Sequence, residues 1–373
     1  MPGINGLPGV RTMIRHGANV NLKPPTLLTS SFTVDTILGQ LNWTDTNGGK
    51  AQYEVYSSTN LGVDVLLGTT IAGATSYQDL TCKQNASISY KLKAKIGSRT
   101  SEFVPSTSLL TPLCWKTNQS VLTAVTIQNL TLSSGTVNIN WGDGTNANYS
   151  GANAGIVKNY SVAGQYNISI SGNINNITAF YHFNQIKSFG NLTNWILPAS
   201  LVDFQFNGST GLTGVVTNWV IPSSLSICSI NSTALTGIIS NWVLPSSLTV
   251  LFLNSTGISG TIPNIGAHAT NGLNLQANAV NISDSNTTTF RKAMTQYSIA
   301  NQNVVFSTAN INKLLKALAD WYQVNAPTAN CTINMSGANM GIPTGGSSNA
   351  DLVRLVGYYT AAGESCTVLC RTS

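Results

Sequence analysis

NWVIPSSLSICSINSTALTGIISNWVLPSSLTVLFLNSTGISGTIP, running from Asn218 to Pro263, says nearly the same thing twice. Trp195, Trp219 and Trp242 lie 24 and 23 residues apart, each followed by two aliphatic residues and a proline. Next come Ser-Leu, a short strand pattern, an Asn, and a Leu/Ile-Thr/Ser-Gly turn. A fixed period of this size predicts a solenoid, because one unit cannot bury its apolar face alone and must stack on the next. The inward positions read Leu248, Leu251, Leu253 and Ile258 in one coil, and Leu225, Cys228, Ile230, Leu235 and Ile239 in the coil before. Leu201, Phe204 and Phe206 open an earlier coil that then slips by one residue. A looser coil precedes it, with Phe183 expected in the part of Phe206, and Leu273, Leu275, Asn278 and Val280 continue the series.

Leu248 to Pro263 also fits the order L-x-x-L-x-L-x-x-N-x-L-x-G-x-I-P, and so resembles the extracellular, plant-like class of leucine-rich repeats. That resemblance implies a spine residue bonding backbone amides from coil to coil. Ser209, Thr233 and Thr256 stand at the spine position in place of Asn, which predicts a weaker ladder of hydroxyls. Strand alternation turns Asn184, Asn207, Asn231 and Asn254 outward on the concave face, with Gln205, Ser229 and Phe252 beside them. Two expectations compete for this row: an amide ladder between coils, or a strip that binds glycan or protein. The three tryptophans are expected to form a stacked column on the back.

Two further modules precede the repeats. From 25 to 112, strand patterns such as Gln40 to Thr44, Ala51 to Ser58 and Ser87 to Ile96 alternate between turns, which predicts a β-sandwich. Trp43, the strand Tyr53 to Tyr56, and Tyr77, Leu80, Tyr90 and Ala94 resemble the fibronectin type III family, which implies a spacer or adhesive module. From 113 to 175, the Trp141-Gly142-Asp143-Gly144 turn resembles a PKD-type immunoglobulin-like module. Tyr160, Gly164, Tyr166, Ile168 and Ile170 carry the same resemblance. Asp143 is expected to bond turn amides rather than a metal.

Beyond residue 285 the period lengthens. Helices are expected over 287–299, 310–322 and 348–363, with Asn310 or Asn312 capping the second. Strands are expected over 303–307, 331–336 and 365–370. The fold class is therefore multidomain and mainly β: two immunoglobulin-like sandwiches, then a leucine-rich-repeat-like solenoid (176–373) that becomes α/β towards its end. Residues 1–24 read as an extended arm.

Only 8% of the 373 residues are charged, against about 25% in an average globular protein. Asn, Ser, Thr and Gly must therefore cover the surface. The basic excess, 18 Lys and Arg against 12 Asp and Glu, is mild and lacks the dense aromatic-laced runs of nucleic-acid binders. No apolar run is long enough to span a membrane, and the N-terminus lacks the apolar core of a secretory signal. The six cysteines show neither CxxC nor zinc spacing and are expected to be unpaired, partly buried thiols, although Cys366 and Cys370 share a strand face. His16, His182 and His268 sit in no recognisable catalytic or metal motif, so no catalytic residue, metal or cofactor is expected.

Module order and composition resemble the fibre and decoration proteins of tailed phages that infect gut Bacteroidetes, including crAss-like phages. That resemblance implies a non-enzymatic virion protein, assembled in the host cytoplasm and exposed on the particle in many copies. Its arm, through Arg11, Arg15 and Lys23, would anchor to capsid or tail proteins, and its solenoid would engage a host-surface protein or glycan. A bacterial surface adhesin, or accessory modules of a polysaccharide-active enzyme, are the alternatives.

Overall fold

Trp195, Trp219 and Trp242 are all buried, and each indole reaches back one layer. Their Nε1 atoms donate to the carbonyls of Cys114, Leu192 and Val216 at 3.1, 3.2 and 3.0 Å. This column belongs to a computed structural model that describes residues 22–34, 36–119, 124–262, 272–274, 279–282, 296–298, 308–325, 327, 330–336 and 342–370. Arg11 and Arg15 lie outside the described residues, as do nearly all of the expected arm and the strand expected over 303–307.

The chain divides into two compact units. One comprises Met1–Ser31, Gly39–Asp79 and Ser89–Leu109; the other comprises Phe32–Leu38, Leu80–Ile88 and Leu110–Ser373. Residues 32–38 and 80–88 group with the second unit.

The first unit is a β-sandwich. One sheet holds Thr26–Thr33, Leu38–Thr44 and Ser76–Asp79; the other is built on Gln52–Thr59 and Ser87–Ile96. Alternation along these strands buries Leu41, Trp43, Tyr53, Val55, Tyr90, Leu92 and Ala94. Trp43 meets Tyr53 edge to face at 5.2 Å. The Tyr90 hydroxyl donates to Asp79 at 3.0 Å, satisfying two buried polar groups at once.

In the second unit the two expected modules share their sheets. Nine described strands follow one another in one sheet and ten in the other, and both sheets run from the sandwich into the coils. Strand Leu113–Gln119 pairs antiparallel with Gly164–Gly172 on one side and with Ser188–Asn191 on the other. Strand Ala124–Leu132 pairs with Ile177–Tyr181, which opens the parallel ladder Asp203–Gln205, Ile227–Ser229 and Val250–Phe252. The boundary expected at 175/176 is therefore no seam. The sandwich covers the apolar flank that the first coil would otherwise expose.

Each coil gives one strand to each sheet. The second set, Gly211–Val215, Ala234–Ile238 and Gly257–Ile262, falls on the Leu-Thr-Gly stretch that lacks alternation. Gly237 sits at φ +129°, and a Cβ there would lie 3.0 Å from the Val216 and Thr217 backbone nitrogens, so the turn admits only glycine without displacement. Inward residues stack in columns: Leu201, Leu225 and Leu248; Phe204, Cys228 and Leu251, all buried. In the other sheet Leu212, Leu235 and Ile258 are buried too, each beside a glycine of the coil before it, Gly190, Gly214 and Gly237. The second serine of each Pro-Ser-Ser ties coils together, Ser224 donating to the Leu201 carbonyl and Ser247 to that of Leu225, both at 2.8 Å.

The coil before Leu201 departs from expectation by one place. The register Phe180↔Phe204 and Tyr181↔Gln205 carries His182, not Phe183, to the inward site of Phe206. His182 is fully buried between the rings of Trp115 and Phe206.

Towards the C-terminus, Gln296–Ser298, Cys331–Met335 and Cys366–Cys370 extend the ten-stranded sheet. The helix expected over 287–299 is overturned at its end, where Gln296–Ser298 runs as a strand; 287–295 lie outside the described residues. The helix Thr308–Val324 starts earlier than expected, so Asn310 and Asn312 lie inside it and do not cap it. Asn312 instead donates to the Thr344 hydroxyl at 2.7 Å. The helix Ala350–Ala361 is capped by Asn349, whose side chain accepts from the amides of Asp351 and Leu352. Cys82, Cys114, Cys228, Cys331 and Cys366 form no disulfide.

Candidate functional site

The outer face of the ten-stranded sheet carries the residues singled out in the sequence. Phe204, Cys228 and Leu251 point inward, so Gln205, Ser229 and Phe252 share the opposite side. One step further, the main-chain bonds Asn184 N to Asn207 O, Gly208 N to Asn231 O and Ser232 N to Asn254 O fix the alignment of the coils at 2.8–2.9 Å. Asn207, Asn231 and Asn254 therefore form one row, in which Phe183 takes the first place.

Asn184 is a correction. It belongs with Gly208, Ser232 and Ser255, the residues that turn each coil with a left-handed backbone, at φ +56°, +70°, +55° and +57°. Asn and Gly tolerate that region best, which accounts for the first two. The expected amide ladder is also corrected. Among the described residues, no side chain of Asn184, Asn207, Asn231 or Asn254 bonds another of the four, and the coil-to-coil bonds along this row belong to the main chain. Asn231 accepts from its own strand neighbour Ser229 at 2.7 Å.

Two of the three spine hydroxyls make bonds of another kind. Thr233 and Thr256 donate within their own coil, to the Ile230 and Leu253 carbonyls at 2.8 and 2.9 Å. Their short side chains reach the turn three residues back, whereas an Asn would reach further. Ser209 bridges coils, accepting from the Gln185 amide at 3.4 Å and donating to the His182 carbonyl at 3.3 Å.

Three side chains that the row did not include complete the strip. Tyr181 donates to Asp203 at 2.5 Å, and the Gln205 amide donates to the other carboxylate oxygen at 3.0 Å. Burial and the bond to Asp203 push the Tyr181 hydroxyl above its ordinary pKa. The rings of Tyr181 and Phe183 lie 6.4 Å apart. Gln128 holds the strand end by bonding both the amide and the carbonyl of Phe183. The strip thus offers the half-exposed rings of Phe183 and Phe252, amides, and one carboxylate already engaged by two donors. This chemistry suits contact with a polar partner. Tyr181 and Phe183 were missed because their coil was read one residue out of register.

Asp143 does what its turn requires. It accepts from the Thr145 amide and hydroxyl and pairs with Lys158 at 2.6 Å. Burial raises its pKa, but the bonds from Lys158 and Thr145 outweigh that and hold it below the usual carboxylate range. Gly142 beside it has φ +80°, and a Cβ would lie 2.6 Å from the Asn167 carbonyl. Lys23, the one described member of the expected anchor, is exposed, and its backbone is held by Thr46 and Asn47. Among the described residues no group of three His, Cys, Asp or Glu side chains is placed to hold a metal.

No protein-family model matches the chain, and no curated protein matches it. Among solved structures, the chain is similar to an Fn3-like protein from Clostridium thermocellum at 20% identity and TM-score 0.22, over 25% of this chain and 96% of that one. It is also similar to pectate lyase Pel3 from Pectobacterium carotovorum at 12% identity and TM-score 0.19, over 76% of this chain and 80% of that one. Likenesses this distant bear on neither activity nor ligand.

Proposed function

We propose that the chain is a non-enzymatic adhesive and structural protein, and specifically a virion fibre or decoration protein of a tailed phage. The repeating row carries this reading. Gln205 and Phe252, with Asn207, Asn231 and Asn254, recur on one sheet face at the strand spacing of about 4.8 Å, while Ser229 between them is buried and holds Asn231. A repeated row suits many weak contacts with a repeating partner, and many copies on one particle multiply them. In this reading the repeats are of the leucine-rich type, the two sandwiches are fibronectin type III-like and PKD-like spacers, and residues 1–24 anchor the chain.

The test is electron microscopy of phage particles labelled for this chain, with full-length protein and protein lacking residues 1–24. Labelled particles that lose the label on truncation support the reading. Truncated protein that still attaches removes the arm as anchor, and a label confined to the cell envelope replaces the virion with a bacterial surface adhesin.

A further inference from the structure

We propose that the strip from Tyr181 to Phe252 binds a neutral, β-linked glycan laid across the strands. The proposal rests on the adhesive reading and names the partner of that same row.

Register builds the strip. Tyr181, Gln205, Ser229 and Phe252 stand side by side on four parallel strands. Phe183, Asn207, Asn231 and Asn254 follow the same alignment one step on. Half-exposed rings therefore mark both ends, Tyr181 and Phe183 on the first strand and Phe252 on the fourth, with amides between them. Gln128 bonds the Phe183 amide and carbonyl, so that platform is held before a ligand arrives. The first and fourth strands lie three spacings apart, about 14 Å. That span fits several sugars in a chain rather than one.

The amides keep bonding capacity in reserve. Gln205 spends its Nε2 on Asp203 and retains Oε1 as an acceptor. Asn231 spends its Oδ1 on Ser229 and retains Nδ2 as a donor. Asn207 Oδ1 is buried without a partner among the described residues, a cost that turning the amide towards a ligand hydroxyl would relieve. Sugar hydroxyls both donate and accept, so they match a row that offers both.

Charge and shape narrow the class. Asp203 adjoins the strip, and Tyr181 and Gln205 already hold its carboxylate. Neither row contains a Lys or Arg. A uronic acid would bring a second carboxylate towards Asp203 with no cation in the rows to meet it, whereas a neutral sugar leaves those bonds intact. Pyranoses with equatorial hydroxyls carry C–H groups on both faces and hydroxyls at the rim. Their faces pack on phenyl rings and their rims meet amides. A β-1,4 linkage keeps such sugars in an extended ribbon that can reach both ends of the strip, while an α-1,4 linkage coils the chain away.

The experiment is isothermal titration of the full chain with cellohexaose, with maltohexaose, and with the cellohexaose analogue oxidised to a uronic acid at every C6. Cellohexaose should bind most tightly, with an affinity indifferent to salt; the acid should bind more weakly and gain as salt rises. Phe183→Ala and Phe252→Ala should each weaken cellohexaose about tenfold, and Asn254→Ala about fivefold. Val243→Ala, 82% exposed on another face of the coils, should change nothing. Phe252→Leu, which keeps the bulk and loses the flat face, serves if the alanine variant unfolds. No binding of cellohexaose overturns the proposal, as does equal binding of maltohexaose or of the acid, or binding that both phenylalanine variants leave unchanged. Attachment to host cells that protease treatment of the cells abolishes and excess cellohexaose does not also overturns it, by making the partner a protein, and leaves the adhesive reading standing. Cellohexaose binding by a chain absent from phage particles upholds the site and removes the virion reading.

Discussion

The indole nitrogen of Trp219 donates to the carbonyl of Leu192 in the coil before it, at 3.2 Å. The ring fills the corner of its own coil while the N–H satisfies a carbonyl of its neighbour, so packing and polar satisfaction share one side chain. Trp219→Phe keeps most of the ring and strands the carbonyl. It should cost about 1–3 kcal/mol in urea unfolding. A change within error would show that the bond contributes nothing to coil stacking.

The leucine column should be far more sensitive than the exposed edge beside it. Leu225 is fully buried between Leu201 and Leu248, and Leu225→Ala should destabilise by about 2–5 kcal/mol. Val220, 77% exposed, should lose no more than about 0.5 kcal/mol on truncation to alanine. Equal costs at the two sites would contradict the stacked core.

Acid should loosen the second unit before the first. Burial pushes His182 from 6.5 down to about 3, so its neutral form is the folded one. The stability it contributes is complete above pH 6.5 and is lost as pH falls towards 3, by at most about 1.4 kcal/mol per pH unit. Bonds from Lys95, opposed by burial and joined by bonds from Lys93 and Tyr56, hold Glu54 of the first unit at about 2, against an ordinary 4.5. Its contribution stands above 4.5 and fades only as pH falls towards 2. Hydrogen exchange between pH 6.5 and 4.5 should therefore rise around His182 and not around Glu54. His182→Gln should flatten that dependence, and an unchanged profile would remove His182 as its source.

Thiol chemistry gives an independent reading of the core. Burial pushes both Cys114 and Cys228 up to about 12. At pH 8 neither should react with a disulfide reagent until the chain is unfolded. Mapped labelling of Cys228 in the native protein would mean that the column beside Leu251 opens on that timescale.

Much of the solenoid was legible because Trp219 and Trp242, Leu225 and Leu248, and Ser224 and Ser247 repeat in identity as well as in pattern. His182 was not, because an aromatic one residue on made the wrong register look right; only pairing with Phe204 and Gln205 decides it. The second strand of each coil stayed hidden because glycine and threonine at Gly214, Thr236 and Gly237 mask the alternation. The seamless passage from sandwich to coils was hidden too, since nothing local to Leu113–Gln119 or Ala124–Leu132 says that their free edges will be taken by Ser188–Asn191 and Ile177–Tyr181.

The passage has a consequence for how copies of the chain behave towards one another. A stack of parallel strands that began bare would present two open backbone edges, each a template for another copy to add in register. Here those places are filled by antiparallel neighbours, and the outermost strands at that end are Asn146–Tyr149, of four residues, and Ala152–Asn159, of eight. The first coil is thereby closed to in-register addition of another parallel strand on that side.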